Sequence, residues 1–501
     1  AQTCLAKVRD IKSASADHCD IVLRVFPQGP MMGILTPKSI VLSMRVTQMV
    51  TTEREYSSLK GLEFYDLSEE IIKGKPADHL EIGDDEANRI VDIHKVNKSQ
   101  AKAIIGSFVN EGFSLIQGPP GTGKTKTILG IVGYTLSQTK ANLINVPKSI
   151  ELSKSPSPES NQGPKVLICA PSNAAVDELV LRLKDGVNDS KGERFSPKVV
   201  RLGRSDAINA AVRDLTLEEL IDKHLQAQSK QAVIDPSIRT EHTKCISLRD
   251  QLRDRLNRPN LSSNEIVELE TQLREVTKQR NELGKKLDEQ RENASIAFRT
   301  REIEKRQLQA KILSGAQIIC STLSGSAHDF LASLSMNFDQ VIIDEACQCV
   351  ELSAIIPLRY GSKRCVMVGD PNQLPPTVLS QAAAGLNYEQ SLFVRMQKNH
   401  PDSVYLLDVQ YRMHPDISKF PSQAFYESRL QDGKNMLEKN DRPWHKQFPL
   451  SPYRFFDIVG AHQQHELTRS LFNYLEARVA LEIVEKLMRV LPEDQFKGRI
   501  G

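Results

Sequence analysis

Gly118, Gly121 and Gly123 punctuate the stretch IQGPPGTGKT at 116–125, which Lys124 and Thr125 close. Glycines at this spacing let successive backbone N–H groups converge on phosphate oxygens when a strand precedes the loop and a helix follows. The runs SLI before it and TKTILGIVGYTL after it supply that context. Gly118, Pro119, Pro120, Gly121, Thr122, Gly123, Lys124 and Thr125 are thus expected to cradle a nucleotide. Lys124 would reach the β- and γ-phosphates, and the Thr125 hydroxyl would ligate Mg2+. A second apolar strand, VII at 341–343, delivers Asp344 and Glu345 at its carboxyl end. Asp344 suits Mg2+ coordination, directly or through a water, and Glu345 suits a base that polarises the attacking water. Adjacent acids at a strand end are usually a solvated turn, but a phosphate loop and a buried approach favour the catalytic reading.

Two further stretches carry weaker signals. Gln373, in MVGDPNQLPPT (367–377), stands on a stiff Pro-rich loop after another apolar strand. Its amide can bond a γ-phosphate or the attacking water and change partner after hydrolysis. In VQYRMHP (409–415), Arg412 can stabilise charge on a transferred phosphoryl and Tyr411 can stack on a base. Taken alone, Arg412 reads as a surface salt bridge, and His414 is given a structural role only. No Asn-Lys-x-Asp guanine reader is present, and Glu345 favours hydrolysis coupled to motion over transfer to an acceptor.

The elements that must hold these residues are short apolar strands alternating with helices from about residue 90 onward. SLIQG, KVLICA, VVRLG, AQIICST, QVIIDEA, RCVMVGD and SVYLLDVQ are near-continuous in apolar character. Such strands between helices predict a doubly wound α/β domain whose parallel sheet is covered on both faces. Upstream, IVLRVF (21–26) and SIVLSMRV (39–46) suggest a small β domain returning through a helix over 51–62. The Ser/Pro/Asn-rich stretch 145–164 reads as a surface loop. Between 214 and 310 the chain is highly charged, with Leu248, Leu252 and Leu256, then Ile266, Leu269, Leu273, Val276, Leu283 and Leu287 at three-and-four spacing, broken by NRPNLSS (257–263). This predicts two antiparallel helices in a protruding hairpin, either a solvated insertion or an arm that guides a polymer substrate.

Lys+Arg is 66 against Asp+Glu 63, so nucleic-acid contact must come from a local basic surface and not from global charge. The eight cysteines form no C-x-x-C pair and several sit in apolar strands, which predicts reduced intracellular thiols and no zinc site. No apolar run of membrane-spanning length and no signal pattern occurs. The start at Ala1 without Met suggests a fragment.

VNKSQ (96–100), GPPGTGKT, APSNAAVDEL (170–179), STLSGS (321–326), IIDEACQ, GDPNQLPPTV and QYRMHP occur in the order and spacing of superfamily 1 helicases of the Upf type. Within that group the chain resembles the senataxin and fungal Sen-type helicases. The resemblance implies RecA-like domains, ATP and Mg2+ as cofactors, and a 5′-to-3′ translocase on single-stranded RNA or DNA. It further implies unwinding of duplexes and RNA–DNA hybrids, a nuclear location, and work in transcription termination and R-loop removal alongside transcription or RNA-processing factors, as a monomer. By position, Gln100 would read the adenine edge, Tyr411 would stack on it, and Gln373 and Arg412 would face the γ-phosphate. Pro171, Ser172, Asn173 and Thr322 would hold the nucleic-acid backbone, as small polar groups suit contacts that position a strand without reading sequence. Ser172 or Asn173 also reads simply as a helix cap.

On this basis residues 1–62 are expected to form the inserted β-barrel and stalk in part, 63–213 and 311–404 the first RecA-like domain, 214–310 the helical prong, and 405–501 the beginning of a truncated second RecA-like domain. The family's late Arg motif and its preceding Gln/Glu-rich motif are not in this chain, which ends at DQFKGRIG (494–501). Two readings follow: the amino-terminal catalytic part of a helicase, or a nucleotide-responsive nucleic-acid binding module without efficient hydrolysis.

Overall fold

The structure, a computed structural model, describes residues 6–13, 19–25, 48–142, 163–226, 236–257 and 263–491. Contacts divide the chain at Thr51/Thr52 into two compact units. In the first, strands β1 (Ala6–Ser13) and β2 (Cys19–Val25) pair antiparallel. The second expected β run, 39–46, lies outside the described residues, as does most of the 145–164 loop.

Helix α1 (Val50–Lys60) falls on the helix expected over 51–62, and from Arg54 onward its side chains bond to other segments within the larger unit. Arg54 Nη1 donates to the Ser324 carbonyl at 2.8 Å, buried Glu55 accepts from the Ser353 hydroxyl and from the Tyr388 hydroxyl, and Arg359 donates to Ser58 Oγ. Helix α2 (Lys98–Val109) follows, opened by a capping box between Asn97 and Gln100.

The larger unit is built on β3 (Gly112–Gln117), β4 (Val166–Ala170), β5 (Val199–Arg201), β6 (Ile318–Thr322), β7 (Gln340–Ile343), β8 (Arg364–Gly369) and β9 (Val404–Leu406). They form one seven-stranded sheet in the order β9-β3-β8-β7-β4-β6-β5, every pair parallel. Alternate residues of one strand enter opposite cores: Leu115, Leu167, Ile319, Val341 and Met367 face one, and Ile116, Ile168, Ile318, Ile342 and Val368 the other. Burial on both faces is why these strands lack a polar alternation. The sheet runs through Leu406, so the boundary expected at 405 falls inside its edge strand. SVYLLDVQ is likewise divided: Val409–Gln410 leaves the sheet and pairs with Gln431–Asp432.

Helices α3 (Lys124–Asn142) and α4 (Asn173–Lys184) cover the sheet, and α5 (Leu217–Gln226) packs on the base of the hairpin. The hairpin consists of α6 (Pro236–Leu256) and α7 (Ser263–Gly315). At 1.5 Å per residue the 53 residues of α7 extend about 80 Å and run without a break almost to β6. Leu252, Leu269 and Val276 form a separate small core with Leu256, Leu273 and Cys245 beside it. Leu248 and Ile266 stand exposed, so the seam is narrower than the leucine spacing suggested. Helices α8 (Pro415–Phe425) and α9 (Tyr474–Val490) lie beyond the sheet, and no residue of α9 is buried against the described residues. No described helix is long and apolar enough to cross a membrane.

Candidate nucleotide and nucleic-acid site

The phosphate loop leaves β3 and enters α3 with Gly121 and Gly123 at φ +79° and +82°, left-handed values that favour glycine. A Cβ on each of its three glycines would strike a different side chain of interest. On Gly118 it would collide with Lys124 Cγ, on Gly121 it would lie 2.7 Å from Arg412 Cβ, and on Gly123 2.6 Å from Gln100 Nε2. The glycines therefore admit those three residues as closely as they free backbone N–H groups. Thr122 is buried, its hydroxyl donating to the Pro119 carbonyl at 2.7 Å, and the loop from Pro120 onward is partly open to solvent up to Thr125.

Lys124 Nζ lies 3.3 Å from the Gly118 carbonyl and 3.5 Å from Glu345 Oε1. Glu345 adopts φ +51°, ψ +40°, a left-handed conformation costing a non-glycine residue about 1–3 kcal/mol. Gln348 Nε2 donates to its other oxygen at 2.9 Å. Neighbouring Asp344 is buried; burial first, and then the Glu345 charge, push its carboxyl up to about 6. The Glu345 N–H donates to Asp344 Oδ1 at 2.9 Å, and the Asp344 N–H donates to the Cys169 carbonyl of β4.

Gln100 stands behind the loop. Its Oε1 accepts from the Asn97 N–H and its Nε2 donates to the Thr122 carbonyl, both at 2.9 Å, with the residue 2% exposed. In this conformation its amide braces the loop instead of facing an open base pocket. Tyr411 is half exposed, with its ring packed beside Gly433, its hydroxyl accepting from Asn97 Nδ2 at 3.1 Å, and its N–H donating to the Gly121 carbonyl. Arg412 is exposed, and among the described residues its guanidinium has no partner. Gln373 Nε2 donates to Asp370 Oδ2 at 2.8 Å.

Ser172 caps α4, accepting from the Ala175 N–H at 3.2 Å, while Pro171 and Asn173 are partly exposed beside it. Thr322 ends β6 in register with Ala170, and its hydroxyl accepts from the Gly325 N–H. The Leu323 N–H donates to the Ala170 carbonyl at 3.0 Å, so the two loops expected to hold nucleic acid are tied by backbone.

Three contributors were given no role from the sequence, although Asp370 lies within GDPNQLPPTV. Arg201 is fully buried and joins Asp177 at 2.8 Å and Asn173 Oδ1 at 2.8 Å. Arg54 fixes Ser324, and Asp370 gathers donors from three segments. Only the place of Arg201 inside the apolar run VVRLG could have hinted at the first; Arg54, and the Gln117 and Tyr426 bonds of Asp370, depend on contacts distant in sequence.

Along the carboxyl edge of one sheet the loops run in the order phosphate loop (β3), Gln373 loop (β8), Asp344–Glu345 (β7), APSN (β4) and STLSGS (β6). This is the layout of a P-loop nucleotide-binding domain of RecA-like type. Two family profiles, each described as an AAA domain, match residues 95–381 and 388–501. Helicase SEN1 of Saccharomyces cerevisiae is 51% identical over 508 residues, covering 100% of this chain and 23% of that protein. Helicase sen1 of Schizosaccharomyces pombe is 41% identical over 506 residues, covering 99% of this chain and 30% of that protein. Probable helicase senataxin of Homo sapiens is 30% identical over 495 residues, covering 91% and 17% respectively. The chain belongs to the Upf-type superfamily 1 helicases, and it spans under a third of the length of these relatives.

Proposed function

We propose that this chain carries ATP-driven translocation on single-stranded RNA or DNA, 5′ to 3′, with unwinding of duplexes and RNA–DNA hybrids. The observation that carries the reading is the order of loops along one sheet edge. Four strand spacings, about 19 Å, separate the phosphate loop from the Thr322 loop, and Asp344–Glu345 stands between them. A nucleotide-dependent shift at one end is then felt through shared backbone bonds at the other.

The residues suit ATP and Mg2+: the left-handed Gly121 and Gly123 shape the turn of a phosphate loop, and Asp344 and Thr125 carry hard oxygen donors. When bound, these groups supply the phosphoryl to be cleaved and the charge that draws it into place. Lys124 leaves Gly118 and Glu345 to neutralise phosphate. Glu345 Oε1 then accepts the proton of the attacking water, and Gln373 and Arg412 face the developing charge. Tyr411 offers the stacking surface for adenine, and Gln100 sets the loop; a direct adenine contact by Gln100 requires its amide to leave Thr122. Pro171, Ser172, Asn173 and Thr322 hold the strand, and the α6–α7 hairpin guides it. Nuclear transcription termination and R-loop removal, with RNA-processing factors as partners and a monomeric protein, follow from the resemblance to the Sen-type relatives.

The test is nucleic-acid-stimulated ATP hydrolysis together with unwinding of an RNA–DNA hybrid bearing a 5′ or a 3′ overhang. Hydrolysis that survives both Lys124→Ala and Glu345→Gln sinks the assignment. Nucleotide-dependent binding without hydrolysis favours the binding-module reading.

A further inference from the structure

Asp370 follows β8 and is 2% exposed, yet among the described residues no Lys or Arg pairs with it. Hydrogen-bond donors alone hold this buried carboxylate. Its Oδ1 accepts from the Asn372 N–H at 3.2 Å and from Gln117 Nε2 at 3.4 Å. Its Oδ2 accepts from Gln373 Nε2 at 2.8 Å and from the Tyr426 hydroxyl at 2.7 Å. Gln117 is the last residue of the strand that enters the phosphate loop, and Tyr426 is the residue after α8, within the second matched segment. A second bond runs the same way, from Asn372 Nδ2 to the Phe425 carbonyl at 2.8 Å. Burial, and then the bond to Asp370, raise the Tyr426 phenol well above its ordinary range, so it remains a donor.

Gln373 and Tyr426 thus share one oxygen. For Gln373 to reach a γ-phosphate, its amide must leave Asp370. With the Tyr426 hydroxyl present, Oδ2 keeps a donor when the amide departs. Without it, departure strips a buried anion's oxygen of its last direct partner, which costs far more than exchanging one donor for another.

We propose that Asp370 and Tyr426 form a latch on Gln373, freeing its amide for the nucleotide only while the Tyr426 hydroxyl occupies Asp370. Both are positioning residues, and the inference rests on the nucleotide-binding reading of the site. Because Tyr426 and Phe425 end α8, withdrawal of that helix re-seats Gln373 on Asp370. The stance of the second segment is thereby converted into readiness at the γ-phosphate.

The test is the ratio of affinities for a non-hydrolysable ATP analogue and for ADP, measured by calorimetry on the whole chain. Tyr426→Phe lowers that ratio about tenfold, the scale of one hydrogen bond to a charged group, and leaves ADP affinity unchanged. Gln373→Ala lowers it by a similar factor, and the double variant falls no further, since a latch without its bolt has nothing to hold. A thermal melt checks that Tyr426→Phe folds. If it does not, Asp370→Asn carries the test, because a neutral oxygen holds Gln373 less firmly and the ratio rises. An unchanged ratio in Tyr426→Phe, or strictly additive losses in the double variant, overturns the latch while leaving nucleotide binding standing. A wild-type chain that binds neither nucleotide overturns both.

Discussion

Lys124 Nζ sits 3.5 Å from Glu345 Oε1, with the two side chains 15% and 25% exposed. The cation expected to hold phosphate and the carboxylate expected to activate water neutralise each other before either is used. Removing Lys124 therefore takes away a phosphate contact, whereas making Glu345 neutral frees the lysine and removes only the base. Lys124→Ala is expected to weaken nucleotide binding at least tenfold. Glu345→Gln is expected to keep or strengthen binding and slow hydrolysis about 10²- to 10⁴-fold. Fluorescent-nucleotide titration and single-turnover hydrolysis separate the two, and a parallel loss of affinity in both variants contradicts the division.

Arg201 should divide stability from strand binding. Its guanidinium joins Asp177 and the Asn173 amide oxygen with no exposure to solvent. Arg201→Ala strands a buried carboxylate and is expected to cost about 3–5 kcal/mol in urea unfolding. Arg201→Lys keeps the charge but cannot span both partners, so it is expected to weaken single-strand binding more than nucleotide binding. Equal effects on the two affinities, read by anisotropy, would count against a role in orienting Asn173.

The hairpin should be separable. Its small core of Leu252, Leu269 and Val276 belongs to neither core of the sheet. Replacing 241–292 by a flexible linker is expected to leave nucleotide affinity unchanged within about twofold and to reduce duplex unwinding. Unwinding at the wild-type rate removes the guiding role.

His94 supplies a pH dependence of stability. Burial pulls its pKa down to about 4, against a partial opposing pull from Asp189. An unfolded chain takes up this proton below about 6.5 while the folded one does not. The contribution is therefore fully present above about 6.5 and is lost as pH falls toward 4, by about 3 kcal/mol. His94→Gln should flatten that part of the profile; an identical wild-type and variant slope between pH 6.5 and 4 rules the histidine out as its source.

Much of the site was legible because its chemistry is local. The loop 118–125 requires glycines at fixed offsets between a strand and a helix, and the Asp344–Glu345 pair requires only an apolar strand before it, so short-range spacing announced both. Gln100 was legible as a residue and not in its placement: its partners are the Asn97 N–H, three residues back, and the Thr122 carbonyl, 22 residues on. The hairpin seam was visible in leucine spacing, but which leucines turn inward depends on how α6 meets α7.

By itself the sequence determined which chemical groups this protein carries and that most of them stand at strand ends, since periodicity and glycine placement are properties of neighbouring residues. Only the tertiary structure decided which strand ends are neighbours. The order β9-β3-β8-β7-β4-β6-β5 sets the phosphate loop, Asp344–Glu345 and the APSN and STLSGS loops along one edge, and packing beyond the sheet brings Tyr426 to Asp370 across 56 residues. A buried carboxylate must find donors wherever packing supplies them, and no local pattern encodes that choice.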